Sequence, residues 1–365
     1  MAADGEERLR SRQKMGSAAP RMLVSWGTGM LIGTEASILE AVRRALPGRG
    51  PVRWAAPIGR GFAGESWRVE GEAGPMTARI ALRDPDGHRL ANAAAAASEA
   101  RALGVVTPRM LHAATAHPAF GGRPFSVAEF LPGRDGEDEV PRMTAGDRAR
   151  FFTEWGEAIA RLHQERRDGG SAGQAAAAPA RITSSAVFAA DALGHGQAAT
   201  WRDVVDGRLE VVPARFAAAG LDFGADAAEA VTRIRAGARA VSGVVRPTLV
   251  HNDLYLANTL AEAGAFAGLL DFEYARVWDP TSDFVKLTLL VFDTHSAARA
   301  AFLSGYRRVR PLPEDFEARL TVALGLELVS GLPSFHRWGD AGVLALYRRA
   351  LERWLDNPAG WDGWT

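Results

Sequence analysis

The chain has 365 residues, enough for two lobes around a sizeable core, and its 43 Lys and Arg balance its 43 Asp and Glu, so no global charge draws it to nucleic acid or an anionic membrane. With 47% hydrophobic and 24% charged residues the composition is that of a folded soluble protein, and no apolar run reaches the ~18 residues a membrane span needs. The absence of cysteine excludes disulfide frameworks, thiol nucleophiles and cysteine-ligated metals, which leaves small-molecule chemistry in the cytoplasm as the expectation.

In chain order, Met1 to Pro20 mixes charges with Gly, Ser and Ala, and the region 1–33 is expected to be a disordered tail. Ile38, Leu39, Val42 and Leu46 recur at helical spacing, with Thr34 as N-cap and Pro47-Gly48 as the stop. Trp54 to Leu82 reads as antiparallel strands with a turn at Gly71–Gly74. His88 to Leu103 is an Ala-rich helix stopped by Gly104. Pro124 to Leu131 is a short apolar strand, and the Pro132-Gly133 turn after it marks a boundary between an N-terminal lobe over 34–131 and a C-terminal lobe over 132–365. Thr144 caps a long helix, Ala145 to Glu165, with Phe151, Phe152, Trp155, Ile159 and Leu162 on one face. Gly169 to Ala180 is a flexible connection. Beyond it the chain is mostly helical, apart from Thr248 to Phe284.

That last block carries the chemistry. His251, Asp253 and Asn258 stand in the spacing H-x-D-x-x-x-x-N, followed by Asp271-Phe272, the layout of a kinase catalytic loop and its metal-binding aspartate. If 258–261 and 266–272 form a hairpin through Gly264, Asn258 and Asp271 converge as hard oxygen ligands for Mg²⁺. Asp253 lies on the loop leading into the hairpin, placed to accept a hydroxyl proton in line with a γ-phosphate. His251 is assigned to bracing the loop. Glu273 is open between the metal, the substrate and solvent.

Gly59, Gly61 and Gly64 form a literal G-x-G-x-x-G with Asp84 twenty residues beyond. A dinucleotide site needs a helix directly after the glycines, whereas a short β-like run follows here. A glycine loop between strands is instead the phosphate-covering flap of kinase-like sites. The only lysines are Lys14 and Lys286, neither of which follows a glycine, so a Walker P-loop is excluded. Strand alternation puts Arg79 opposite the buried face, where it is the candidate phosphate cation paired with Glu99, with Arg83 as a rival.

On these motifs the sequence resembles the aminoglycoside phosphotransferase and choline kinase superfamily over roughly residues 59–284. The resemblance implies an α+β, bilobal protein-kinase-like fold with a small antiparallel N-lobe sheet and a mainly helical C-lobe. It implies ATP and Mg²⁺ as cofactors and a small-molecule hydroxyl as acceptor, without nucleic acid or membrane partners. Within it, Glu129 to Leu131 looks like the hinge that binds adenine, and Asp283 like the aspartate that braces the catalytic loop. Arg79 replaces the usual lysine, and Asn252 the commoner glycine after the histidine. The function expected is phosphorylation of an antibiotic or amino-sugar-type acceptor. The alternatives are a choline- or ethanolamine-type kinase and a nucleotide-binding pseudokinase module. Glu273, Asp293, Glu314 and Glu327 are expected to draw an amine-bearing acceptor.

Overall fold

The computed structural model describes residues 31–60, 63–164, 188–241 and 243–358. Of the tail expected over 1–33, residues 1–30 lie outside these residues, as does the connection over Gly169 to Ala180; the end of that stretch is ordered instead, the Ile32 and Gly33 amides donating to the Glu65 carboxylate at 2.8 and 2.9 Å. The first helix, α1 (Glu35–Ala45), begins at Thr34, whose hydroxyl accepts from the Ser37 amide in a capping box. It packs on a five-stranded antiparallel sheet of β1 (Val52–Arg60), β2 (Gly64–Gly71), β3 (Gly74–Ala81), β4 (Met110–His117) and β5 (Arg123–Glu129), in the order β1-β2-β3-β5-β4. Period-two alternation sends Met76, Ala78 and Ile80 into the core with Trp67, Val69, Phe125 and Val127. It sends Thr77 and Arg79 into the cleft.

Between β3 and β4, α2 (His88–Ala102) starts where the Asp84 carboxylate accepts from the amides of Arg89 and Leu90. Asp84 thus satisfies the open N-H groups of a helix start. The edge strand β4 was not expected. Its sequence, Met-Leu-His-Ala-Ala-Thr-Ala-His, holds no β-branched residue but Thr115, and none of its residues is fully buried.

The short strand β6 (Arg134–Asp135) and helix α3 (Gly136–Glu139) lead to α4 (Ala145–Leu162), capped by Thr144 as expected. Phe151, Phe152, Trp155 and Ile159 on α4 are fully buried, each worth about 1.5–3 kcal/mol of burial. After them come α5 (Trp201–Glu210), α6 (Val212–Ala218), α7 (Ala225–Ala240), β7 (Thr248–Val250), β8 (Thr259–Glu262), β9 (Ala265–Leu269) and β10 (Arg276–Trp278). The chain closes with α8 (Asp283–Lys286), which runs on as a π-helical turn over Leu287–Phe292, then α9 (Ser296–Val309), α10 (Phe316–Trp338) and α11 (Ala341–Asp356). A Cβ on Gly156 would strike the Phe302 carbonyl, and one on Gly305 the Thr153 carbonyl, so the two glycines let α4 and α9 close to backbone contact. Among the described residues no helix is long and apolar enough to cross a membrane.

Candidate active site

A cleft of about 1290 Å³ is lined by Ser66, Arg79, Phe130 and Leu131 from the sheet side and by Asp253, Asn258 and Asp271 from the helical side. The hairpin forms as the spacing predicts, with Thr259 opposite Leu269 and the turn at Gly264. The Leu270 amide donates to the Asn258 carbonyl at 2.9 Å, which brings Asn258 beside Asp271. Asn258 turns its amide nitrogen to Asp253, 2.9 Å from the backbone oxygen and 3.2 Å from Oδ2. The residue itself lines the cleft.

Asp271 sits at φ 60, and its Oδ1 is buried without a hydrogen-bond partner. A left-handed non-glycine residue is costly, and such costs concentrate at functional sites; among the described residues the charge of Oδ1 is met only by an ion pair with Arg79, at 3.6 Å. A side-chain amide beside a carboxylate whose buried oxygen makes no hydrogen bond supplies hard oxygen donors suited to a divalent cation such as Mg²⁺.

The loop carrying Asp253 is held by Asp283. Its Oδ2 accepts from the His251 amide and from His163 Nε2, both at 2.9 Å, and its Oδ1 accepts from the Asn252 amide. Burial lowers the His163 pKa against the pull of Asp283, and its Nδ1 is 2.9 Å from the Tyr306 hydroxyl. His251 donates from Nε2 to the Leu270 carbonyl at 2.8 Å and packs at a tilt of 55° against Phe272, with centroids 4.6 Å apart. It therefore ties the catalytic loop to the residue before Asp271. Asn252 has φ 62, a conformation that asparagine tolerates better than most residues, and this explains locally why it stands where glycine is commoner.

Arg79 lies at the centre of β3 between Ser66 and Ser126. The expected pair with Glu99 is not made. Arg79 Nη1 is 3.6 Å from Asp271 Oδ1, and Nη2 is 2.5 Å from Glu273 Oε1. The reason is the position of α2, which docks on the segment after Asp271 through Asn92, whose Nδ2 donates to the carbonyls of Glu273 and Ala275, both at 3.0 Å. Glu99 follows seven residues later, ~10 Å further along the helix axis. Burial opposes the Arg79 charge, but Asp271 and Glu273 together outweigh it and hold the guanidinium protonated. Burial pushes the Glu273 carboxyl up, with Arg79 pulling against it and Asp271 adding to it. Arg83 also lines the cleft but is exposed.

Gly64 is required beside this arginine, because a Cβ there would sit 2.6 Å from Arg79 Nε. Gly59 is the penultimate residue of β1 and pairs with Ser66, and β2 begins at Gly64, so a strand follows the glycines; Gly61 lies outside the described residues. At the end of β5, Glu129 is paired with Arg109, and its amide is bonded to the Arg109 carbonyl at 2.9 Å. The Leu131 amide has no partner among the described residues.

Two site residues were not foreseen. Lys286 on α8 is paired with Asp253 Oδ1. Burial works against its ammonium, but Asp253 and Glu327 raise its pKa overall. The signal was in the sequence: Lys286 is the only lysine after residue 14, three residues past Asp283. Asn92, 2% exposed, also accepts from the Ala192 amide at 2.7 Å, and nothing in an Ala-rich helix announces that role.

The model of the phosphotransferase enzyme family matches residues 54–318. The chain belongs to this family. It is a small-molecule kinase with a bilobal, protein-kinase-like fold. No curated protein matches the sequence. Among solved structures, it is similar to a thermostable mutant of aminoglycoside phosphotransferase APH(4)-Ia in ternary complex with AMP-PNP and hygromycin B, at 15% identity and TM-score 0.65, over 89% of this chain and 99% of that one. A putative fructosamine-3-kinase from Haemophilus somnus 129PT aligns at 15% identity and TM-score 0.59, over 87% and 96%. The gentamicin complex of APH(2")-IIa aligns at 15% and 0.60, over 89% and 97%.

Proposed function

We propose that this protein transfers the γ-phosphoryl group of ATP, with Mg²⁺, to a hydroxyl of a small molecule. The observation that carries the reading is the convergence of Asp253, Asn258 and Asp271 in one cleft with Arg79 facing them from β3. Adenine takes the edge of Glu129 to Leu131, where the Leu131 amide is available to donate, and Gly59, Gly61 and Gly64 cover the phosphates. Asn258 and Asp271 would hold the Mg²⁺, which supplies charge neutralisation at the phosphate oxygens. Arg79 exchanges its carboxylate partners for phosphate oxygens, a role in which its fork is not equivalent to a lysine's point charge.

Asp253 accepts the acceptor's hydroxyl proton while aligning that oxygen with the γ-phosphorus. The bond from oxygen to Pγ forms, the bond from Pγ to the β,γ-bridging oxygen breaks, the proton goes to the Asp253 carboxylate, and ADP leaves. Lys286 and Asn258 fix the rotamer of that carboxylate, and each oxygen keeps a lone pair for the hydroxyl. Asp283, His251 and His163 keep the loop in place.

The resemblance expects an antibiotic, amino-sugar or choline-type acceptor; the further expectation that Glu273, Asp293, Glu314 and Glu327 draw an amine rested on carboxylates that are otherwise engaged. Glu273 is held by Arg79 and Asp293 by Arg353. Glu327 accepts from the Tyr347 hydroxyl at 2.9 Å and faces Lys286. Neither Asp293 nor Glu314 lines the cleft. The test is labelled ATP with a library of hydroxylated acceptors: a phosphate ester formed with Mg²⁺ and lost with a chelator supports the reading. Mg²⁺-dependent nucleotide binding with no transfer to any acceptor would favour the pseudokinase module.

A further inference from the structure

Resting on the kinase reading for the identity of the reacting hydroxyl, we infer that the helical wing of the cleft binds an anionic group of the acceptor, a carboxylate or a phosphate monoester, through Arg208, Arg215 and Arg276. The three side chains come from α5, α6 and β10 and line the same cleft as Asp253. Arg208 and Arg276 both lie near the Trp278 ring, their guanidinium carbons 5.8 and 5.7 Å from its centroid. Neither makes a hydrogen bond or ion pair among the described residues. Arg215 donates only to the Ser334 hydroxyl, at 2.9 Å. The one carboxylate facing all three is Glu327, which also faces Lys286.

The wing therefore carries three guanidiniums that share one carboxylate, with Asp191 also facing Arg276 and Arg337 adding like charge beside Arg215. Burial, followed by the charge of Arg276, pushes the Arg208 pKa down, and burial does the same to Arg276 and Arg215. Arginine stays charged under such pressure, so the wing keeps converging cations at an electrostatic cost. Five N-H donors per guanidinium and a planar fork suit carboxylate and phosphate oxygens. An ammonium would enter this wing against like charges, and a neutral acceptor would leave the forks unpaired. Trp278 holds two of the guanidiniums by cation–π contact.

The experiment uses one scaffold in four charge states: glucose, glucosamine, glucuronate and glucose 6-phosphate. Calorimetry is run on the full-length protein with AMP-PNP and Mg²⁺ saturating the nucleotide site, so that a phosphate cannot score by binding there. The two anions are expected to bind at least about tenfold more tightly than glucose, as one charge-assisted contact provides, and glucosamine more weakly than glucose. That preference should fall with added salt, and it should be lost in R208Q/R276Q. A merely structural role for the arginines predicts a lower Tm for the unliganded variant. The inference predicts an equal or higher one, because like charges are removed. The preference of the wild-type protein is measured whatever the variant does. Equal binding of all four sugars, tighter binding of glucosamine, or no binding of either anion up to about 10 mM overturns the inference. Phosphoryl transfer to neutral or amine acceptors would then still stand as the test of the kinase reading itself.

Discussion

In the half of the cleft under the sheet, charges face their opposites: Arg79 meets Asp271 and Glu273, and Asp253 meets Lys286. In the helical wing, Arg208, Arg215 and Arg276 share Glu327. The contrast teaches what each half waits for. A metal nucleotide brings a cation for Asp271 and anionic oxygens for Arg79 together, so an internally paired site can exchange both partners at once. A wing with a surplus of one sign waits for a ligand of the other.

The largest effect should come from removing the carboxylate of Asp271. Asp271→Ala is expected to abolish the Mg²⁺-dependent part of nucleotide binding, a loss of at least about a hundredfold and thus beyond what outer-shell partners of a metal site cost. Calorimetric titration of nucleotide with and without Mg²⁺ measures it, and an unchanged Mg²⁺ dependence would remove Asp271 from the site.

Next is the cation on β3. Arg79→Ala should raise the ATP KM roughly tenfold to a hundredfold, the worth of a charged hydrogen bond, and Arg79→Lys should be partly active. Arg83→Ala should do much less. Glu273→Gln should alter the ATP constant rather than the acceptor constant, because Glu273 holds Arg79; the reverse pattern in steady-state kinetics would place Glu273 in the acceptor wing.

What the sequence revealed of these two halves follows from distance along the chain. Asp253, Asn258 and Asp271 lie on one loop and hairpin whose geometry is set locally, so spacing alone brought them together. The long helix α4 and the alternation that turns Arg79 into the cleft were equally legible. The partners of Arg79 and Asp253 were not. Glu273 reaches Arg79, and Asn92 reaches Glu273 and Ala275, only after α2 docks across the cleft, contacts more than 180 residues apart in sequence. Glu99 looked suitable because a helix register cannot be placed against a sheet from periodicity alone. The arginine surplus needs α5, α6 and β10 brought together, which no local pattern encodes.

Two smaller effects test how firmly the paired half is built before any ligand arrives. Asn92→Ala leaves the Ala192 amide and two carbonyls without their partner, and it should cost about 1–3 kcal/mol, read as a lower Tm. A wild-type Tm would show that α2 docks without it. The smallest effect is a pH slope. Burial lowers the native His163 pKa below the unfolded value of about 6.5, so the unfolded chain binds the extra proton first. Its contribution is complete above pH about 6.5 and is lost as the pH falls towards the native pKa. His163→Gln should flatten the fall of Tm between pH 6.5 and 5, and an unaltered slope would assign the acid sensitivity elsewhere.

The central claim is that Asp253 accepts the proton as phosphate moves to a hydroxyl. The direct measurement is phosphate-ester formation from labelled ATP by wild type and Asp253→Asn in parallel, with nucleotide affinity measured on both. The account predicts nearly equal affinity and a turnover at least about 10²-fold lower in the variant, as for a lost general base. Comparable turnover in the two proteins would contradict it.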